Sequence, residues 1–267
     1  MSSNALAHSM DASDFAEEYS MPTMADNRTV ELKSADRIRT GIAHYRAWAR
    51  HQDAELLLAV EALQHAQIAR LRHTHADSLG DDRFRPITEF FLSEIYTGLD
   101  IEELAREIEK ALPVATRMLP DSVMRTAAIA VELNALTGEL DEEVARDLLA
   151  HGCADAPGDD DIIAAYRRCG HFEERRQQMQ LLRELGLGLD RYVRSRLITA
   201  TFKMAARPAR MAGLGGLYDF MGQGFAVMKP MKSVAEFLDT FIGRERRILD
   251  RLENGSANPF ACETPND

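Results

Sequence analysis

The stretch GIAHYRAWARHQDAELLLAVEALQH, residues 41–65, decides the fold class. Ile42, Tyr45, Ala49, Leu56, Val60 and Leu63 follow one another at intervals of three, four and seven residues, the spacing of an apolar stripe on an α-helix. A more polar stripe beside it carries His44, Trp48, His51, Glu55, Leu58, Ala62 and His65, which sets the histidines at the edge of the core face. Histidines at a helical period raise the question of a metal. Residues seven apart lie about 10 Å apart along a helix axis, so His44, His51 and His65 cannot share one ion. His51 with Glu55, and Glu61 with His65, keep the four-residue spacing of a helical metal pair. Each would need ligands from other helices, and the chain contains no Glu-x-x-His to complete the pattern of a carboxylate-bridged di-iron bundle.

The same helical grammar extends in both directions. Between Ser34 and His75 only Gly41 interrupts, which predicts about 40 helical residues spanning about 60 Å, long enough to bend or break once. Downstream, Pro86 suits the first turn of a short helix carrying Phe90, Phe91, Ile95 and Tyr96, and Gly98 stops it. Asp100 with Glu103 has capping-box spacing for a helix that meets Pro113 and ends at Pro120. Asp121 can cap the next helix, Gly138 and Asp141 predict a turn, and CADAPGDDD is a loop. Later helices are predicted at DIIAAYRRC, FEERRQQMQLLREL, LDRYVRSRLITATFKMAA, ARMAGLGGLYDFMGQGFAVMK and VAEFLDTFIGRERRILDRLENG. Nowhere do β-branched residues alternate between turn signals, so no strand is expected. The expected fold is all-α, a compact multi-helix bundle of nine to eleven helices. Its long N-terminal helix would pack on the glycine-containing helix and the last one. Residues 1–33 read as a disordered lead-in, 34–255 as a single helical domain, and 256–267 as a free tail.

Composition narrows the function classes. A chain of 267 residues buries a sizeable core without disulfides, so neither metal nor cofactor is needed for stability and none is predicted. The net charge of -11 argues against general nucleic-acid binding, which needs a basic face to displace counterions. Three cysteines make no disulfide framework and point to a reducing cytoplasm. The N-terminus lacks a basic start and an apolar stretch of signal-peptide type, and no segment reaches the length of a membrane span.

FFLSEIY at 90–96, ALPVATRMLP at 111–120 and RERRILDRLENGSANPF at 244–260 together resemble a family of bacterial helical proteins of unknown function, in which a Phe-Phe-Leu motif precedes Tyr-Gly. The likeness runs from about residue 40 to about residue 260. Here Thr97 follows Tyr96 and the glycine arrives at Gly98, so the turn after the motif departs from the pattern. The resemblance implies one helical unit spanning both halves of the chain and brings no activity with it.

Four groups of residues carry candidate chemistry. HGC at 151–153 and CGH at 169–171 offer His151, Cys153, Cys169 and His171, the residue types of tetrahedral zinc. Their one-residue separation is shorter than the two to four of ordinary zinc pairs, which favours two helix ends that happen to carry Cys and His. AGLGGLYDFMGQGF lacks the preceding strand and the following Lys-Ser of a phosphate loop. On a helix its glycines permit close contact, and Met204, Met211, Met221 and Met228 supply either ordinary core or an adaptable apolar lining. Asp159, Asp160 and Asp161 cap the following helix rather than form a calcium loop.

The least ordinary feature is charge. From Arg191 to Arg210 stand Arg191, Arg194, Arg196, Lys203, Arg207 and Arg210 with no acid among them, in a chain that is otherwise acidic. Beside methionines, that run suits an anionic head group on an apolar tail or an acidic protein surface, unless the chain's own carboxylates neutralise it. The sequence therefore points to a cytoplasmic, non-enzymatic binding protein for a small amphipathic anionic ligand or an acidic partner. Arg191, Arg194, Arg196, Lys203, Arg207, Arg210, Met211, Met221 and Met228 form its expected site. Two alternatives stand beside it: a helical non-haem metalloenzyme using His51 and Glu55 or the 151–171 cluster, and a structural homo-oligomer.

Overall fold

A computed structural model describes residues 34–49, 53–95 and 101–261. The expected lead-in over 1–33, together with Tyr96, Gly98 and Asp100, lies outside the described residues. Eleven α-helices follow in chain order: α1 Ser34–Ala49, α2 Ala54–Thr74, α3 Ala76–Gly80, α4 Arg85–Phe90, α5 Ile101–Met118, α6 Asp121–Ala150, α7 Asp159–Cys169, α8 Phe172–Arg194, α9 Arg196–Met211, α10 Gly215–Met228 and α11 Ala235–Glu253. A π-helical turn, Phe91–Ile95, continues α4. No strand occurs among the described residues, and the fold is all-α.

The opening stretch folds as predicted in character and divides at Asp53. That carboxylate accepts the backbone N–H of Leu56 at 2.7 Å and caps α2, which satisfies one of the donors a helix start leaves open. Ile42, Leu56 and Leu63 are buried, so the apolar stripe read from spacing is the core face. The expected turn at Gly138–Asp141 does not form. α6 runs unbroken for 30 residues, because a helical glycine costs only about 1 kcal/mol against alanine and packing on both faces outweighs it. α8 likewise passes through Gly186 and Gly188. A Cβ at Gly188 would lie 2.9 Å from Thr126 Oγ1, and one at Gly186 would lie 2.8 Å from Leu238 Cδ1, so these glycines set how closely α8 approaches α6 and α11.

α6 is the central element, and the N-terminal helices, expected to pack on the glycine-containing helix and the last one, pack mainly on it. α1, α2, α7 and α8 pack against it, and α8 in turn packs on α11. One buried cluster joins Leu56 and Leu63 of α2 to Val144 and Leu148 of α6, Ile162 of α7 and Ile248 of α11. A second joins Leu71, Phe84, Ile87, Val193, Met228 and Phe241, and a third joins Ile38, Ile42, Leu112, Met124 and Ala128. Residues 256–261, expected to be free, pack back instead: Pro259 and Phe260 are buried, and Arg167 donates to the carbonyl oxygens of Leu252 and Ser256 at 3.1 and 2.5 Å.

Candidate functional site

The basic run does not lie on one helix. α8 ends at Arg194, and Ser195 accepts the Ile198 N–H at 3.3 Å to start α9. Arg194 is held by Asp190 of its own helix at 2.7 Å, and Arg210 by Asp219 of α10 at 2.6 Å, with the Arg210 guanidinium 5.4 Å from the centre of the Tyr218 ring. Arg191, Arg196, Lys203 and Arg207 are exposed and form no ion pair among the described residues. Internal neutralisation therefore accounts for two of the six cations.

α9 buries no residue fully. Its inner side rests on α10 through Phe202, whose ring stacks on Tyr218 at 4.3 Å and 6° and meets Phe225 at 5.1 Å. Tyr218 donates its hydroxyl to the Phe202 carbonyl at 3.2 Å. The outer side exposes Leu197 at 77%, Met204 at 80% and Met211 at 78%. These three recur every seven residues and so form one row. Arg196, Lys203 and Arg210 recur in the same way one residue earlier, and Arg207 falls one turn beyond Lys203. A cationic row and an apolar row thus run lengthwise on adjacent exposed sides of the helix, about 100° apart around its axis. Of the other expected site residues, Met221 is half-buried on α10, whereas Met228 is 5% exposed and belongs to the second core cluster, so it cannot face a ligand on α9.

Of the metal candidates, His151, Cys153, Cys169 and His171 each have a partner other than a shared ion. His51 lies outside the described residues, and Glu55 is exposed. Glu61 and His65 are exposed on the rim of a shallow surface depression of about 400 Å³ that also touches Leu58 and Asp155. His151 ends α6 with its ring 2.7 Å from the Asp147 carbonyl, and His171 Nε2 sits 2.7 Å from Glu143. Cys153 and Cys169 are reduced and donate to the carbonyls of His151 and Glu143 at 3.4 and 3.6 Å. Among the described residues, no group of three or more His, Cys, Asp or Glu side chains is placed to hold a metal ion.

Sequence reasoning missed a second feature, a polar cluster inside the bundle. Gln67 of α2 donates to Asp141 of α6 at 3.3 Å and to the Tyr166 hydroxyl of α7 at 3.0 Å. Arg175 of α8 lies 3.9 Å over the Tyr166 ring. Asp141 Oδ2 and Arg175 Nε are buried with no hydrogen-bond partner. These groups, with Gln178, line a cavity of about 70 Å³. Burial pushes the Asp141 carboxyl up to about 6, against the opposing field of Arg175 and the hydrogen bond from Gln67. Next to it, Glu245 of α11 accepts from Arg70 at 2.6 Å and from His75 at 2.8 Å. Burial would raise Glu245, but Arg70 and His75 outweigh it and hold the carboxyl at about 2. His75 is fully buried, stacks on Phe241 at 4.0 Å, and has its pKa lowered mainly by burial. Arg244 Nη1 points at its Nδ1 from 3.3 Å, and a guanidinium can only donate, so the proton of neutral His75 sits on Nε2, toward Glu245.

These residues come from five helices, so no local motif records them. A weaker signal was present. Glu245 falls on the apolar stripe of α11, four residues after Phe241 and three before Ile248, and Asp141 falls between Leu140 and Val144. An acid on a core stripe marks a buried, partnered charge.

The fold and the exposed face define a class: an all-α bundle that presents a basic and apolar helix outward, with no described helix long and apolar enough to cross a membrane. A family model described as Domain of unknown function (DUF8198) matches residues 47–259, and the chain belongs to that family. Comparison with curated proteins and with solved structures gave no match.

Proposed function

We propose that the protein is a non-enzymatic binding protein of the cytoplasm that engages an anionic, partly apolar partner along the outer face of α9. The observation that carries this reading is the pairing of exposed Arg196, Lys203 and Arg207, free of ion pairs among the described residues, with the exposed row Leu197, Met204 and Met211. Cations left unneutralised gain most from an incoming anion, and a row of large apolar side chains gains by leaving water, so one partner carrying both chemistries satisfies both rows. Arg194 and Arg210 keep their intramolecular carboxylates and contribute less.

The test is a panel of anionic probes offered to the purified full-length chain: an acidic leucine-containing peptide and phosphatidylglycerol vesicles, with phosphatidylcholine vesicles as the neutral control. At least one anionic probe binds, binding weakens as salt is raised, and the double substitution Arg196→Glu with Arg207→Glu abolishes it while the far-UV helical signal persists. Failure of every anionic probe to bind, or binding indifferent to that substitution, would overturn the proposal.

A further inference from the structure

Resting on that reading, we infer that the partner is an α-helical protein segment, acidic along one side of its own apolar stripe, laid lengthwise on α9. The spacing carries the argument. Leu197, Met204 and Met211 repeat every seven residues, and so do Arg196, Lys203 and Arg210. A seven-residue row drifts by only about 20° per repeat, so both rows run almost parallel to the helix axis. From Leu197 to Met211 the apolar row is about 21 Å long at 1.5 Å per residue. A second helix with its own seven-residue rows matches such a pair of straight parallel rows, its apolar positions meeting the methionines and its acids meeting the cations. Met204 and Met211 are unbranched and adapt to the shape they meet, the property of surfaces that receive amphipathic helices.

The same face suits a bilayer less well. A helix lying in a membrane interface carries cations along its polar face and anchors itself with Trp, Phe or Leu. On α9 Leu197 is the one exposed anchor of that kind: Met204 and Met211 make up the rest of the apolar row, Thr201 and Pro208 form its border away from the cations, and the aromatic residue of the helix, Phe202, is turned inward onto Tyr218 and Phe225.

The experiment is fluorescence anisotropy with the full-length protein and three probes: a synthetic peptide with leucine at the core positions and glutamate at the flanking positions of a seven-residue repeat, a scrambled peptide of identical composition, and phosphatidylglycerol vesicles. The patterned peptide binds and gains helical circular dichroism on binding, the scrambled one binds at least about tenfold more weakly, and Arg196→Glu with Lys203→Glu weakens the patterned peptide by about tenfold or more. As an added control beside those three probes, the patterned peptide with lysine in place of glutamate binds that charge-reversed protein better than it binds the wild type, a recovery that an unfolded variant could not give. Equal binding of patterned and scrambled peptides would overturn the helical partner and leave the anionic reading standing. Binding of vesicles without either peptide would do the same. Failure of all three probes would overturn both.

Discussion

Asp141→Asn is expected to make the protein more stable at neutral pH and no more stable in acid. The Asp141 carboxyl has an ordinary value of 3.8 and is raised to about 6 by burial in the folded chain. A raised folded pKa means that the folded state holds the proton more tightly than the unfolded one. The stability this confers is fully present below the ordinary value and is lost as pH rises through 6. Two units at about 1.4 kcal/mol each make the ionised carboxylate about 3 kcal/mol less well accommodated than the acid. Asparagine is neutral at every pH, and its carbonyl can still accept from Gln67. Its amide takes the place of the unpartnered Oδ2 and gives back about 1–2 kcal/mol as a buried donor without an acceptor. The variant should therefore gain about 1–2 kcal/mol at pH 7.5, and the gain should shrink steadily towards pH 4. The measurement is urea unfolding followed by far-UV circular dichroism at four pH values, wild type and variant side by side. Glu245 and Asp77, both held at about 2, titrate alike in the two proteins and cancel in the difference. A difference that does not change between pH 7.5 and pH 4, or a variant less stable at pH 7.5, would refute the assignment of a desolvated carboxylate.

Two further outcomes follow from the packing. Gly188→Ala should cost about 1–3 kcal/mol by overpacking, since its Cβ would meet Thr126 Oγ1 at 2.9 Å, and adding Thr126→Ala should recover much of that loss in a double-mutant cycle on thermal unfolding; an additive pair would remove the contact as the cause. Glu107 of α5 accepts the backbone N–H groups of Gly216 and Leu217 at 3.2 and 2.6 Å, so Glu107→Ala should cost about 1–2 kcal/mol and speed hydrogen exchange in the first turn of α10, and unchanged exchange there would disprove the cap.

The fold class was legible because helix period is a local property: Ile42, Leu56 and Leu63 could be placed on one face from spacing alone, and all three are buried. Punctuation was less legible. Gly138 looked like a stop, yet α6 continues through it, half-buried at that point, because the helices packed along its length outweigh the cost of one glycine. Ser195, within what read as one helix, begins α9 by capping Ile198 instead. The basic run was visible as composition, but which cations stay unpaired depended on Asp190, one turn before Arg194, and on Asp219, a helix away from Arg210. The buried cluster was not legible as a site, since Gln67, Asp141, Tyr166, Arg175 and Glu245 meet only when five helices close around them.

α9 is anchored by one stacked aromatic pair and a few half-buried side chains, with nothing of its own in the core. Opening it exposes little apolar surface, so the cost of releasing this segment falls well below that of unfolding the bundle. Its amides should then exchange with solvent through local excursions, while those of α6 wait for the whole bundle to open. Whatever docks on α9 thus acts on the part of the chain closest to melting, and clamping it would slow exchange there without touching the rest.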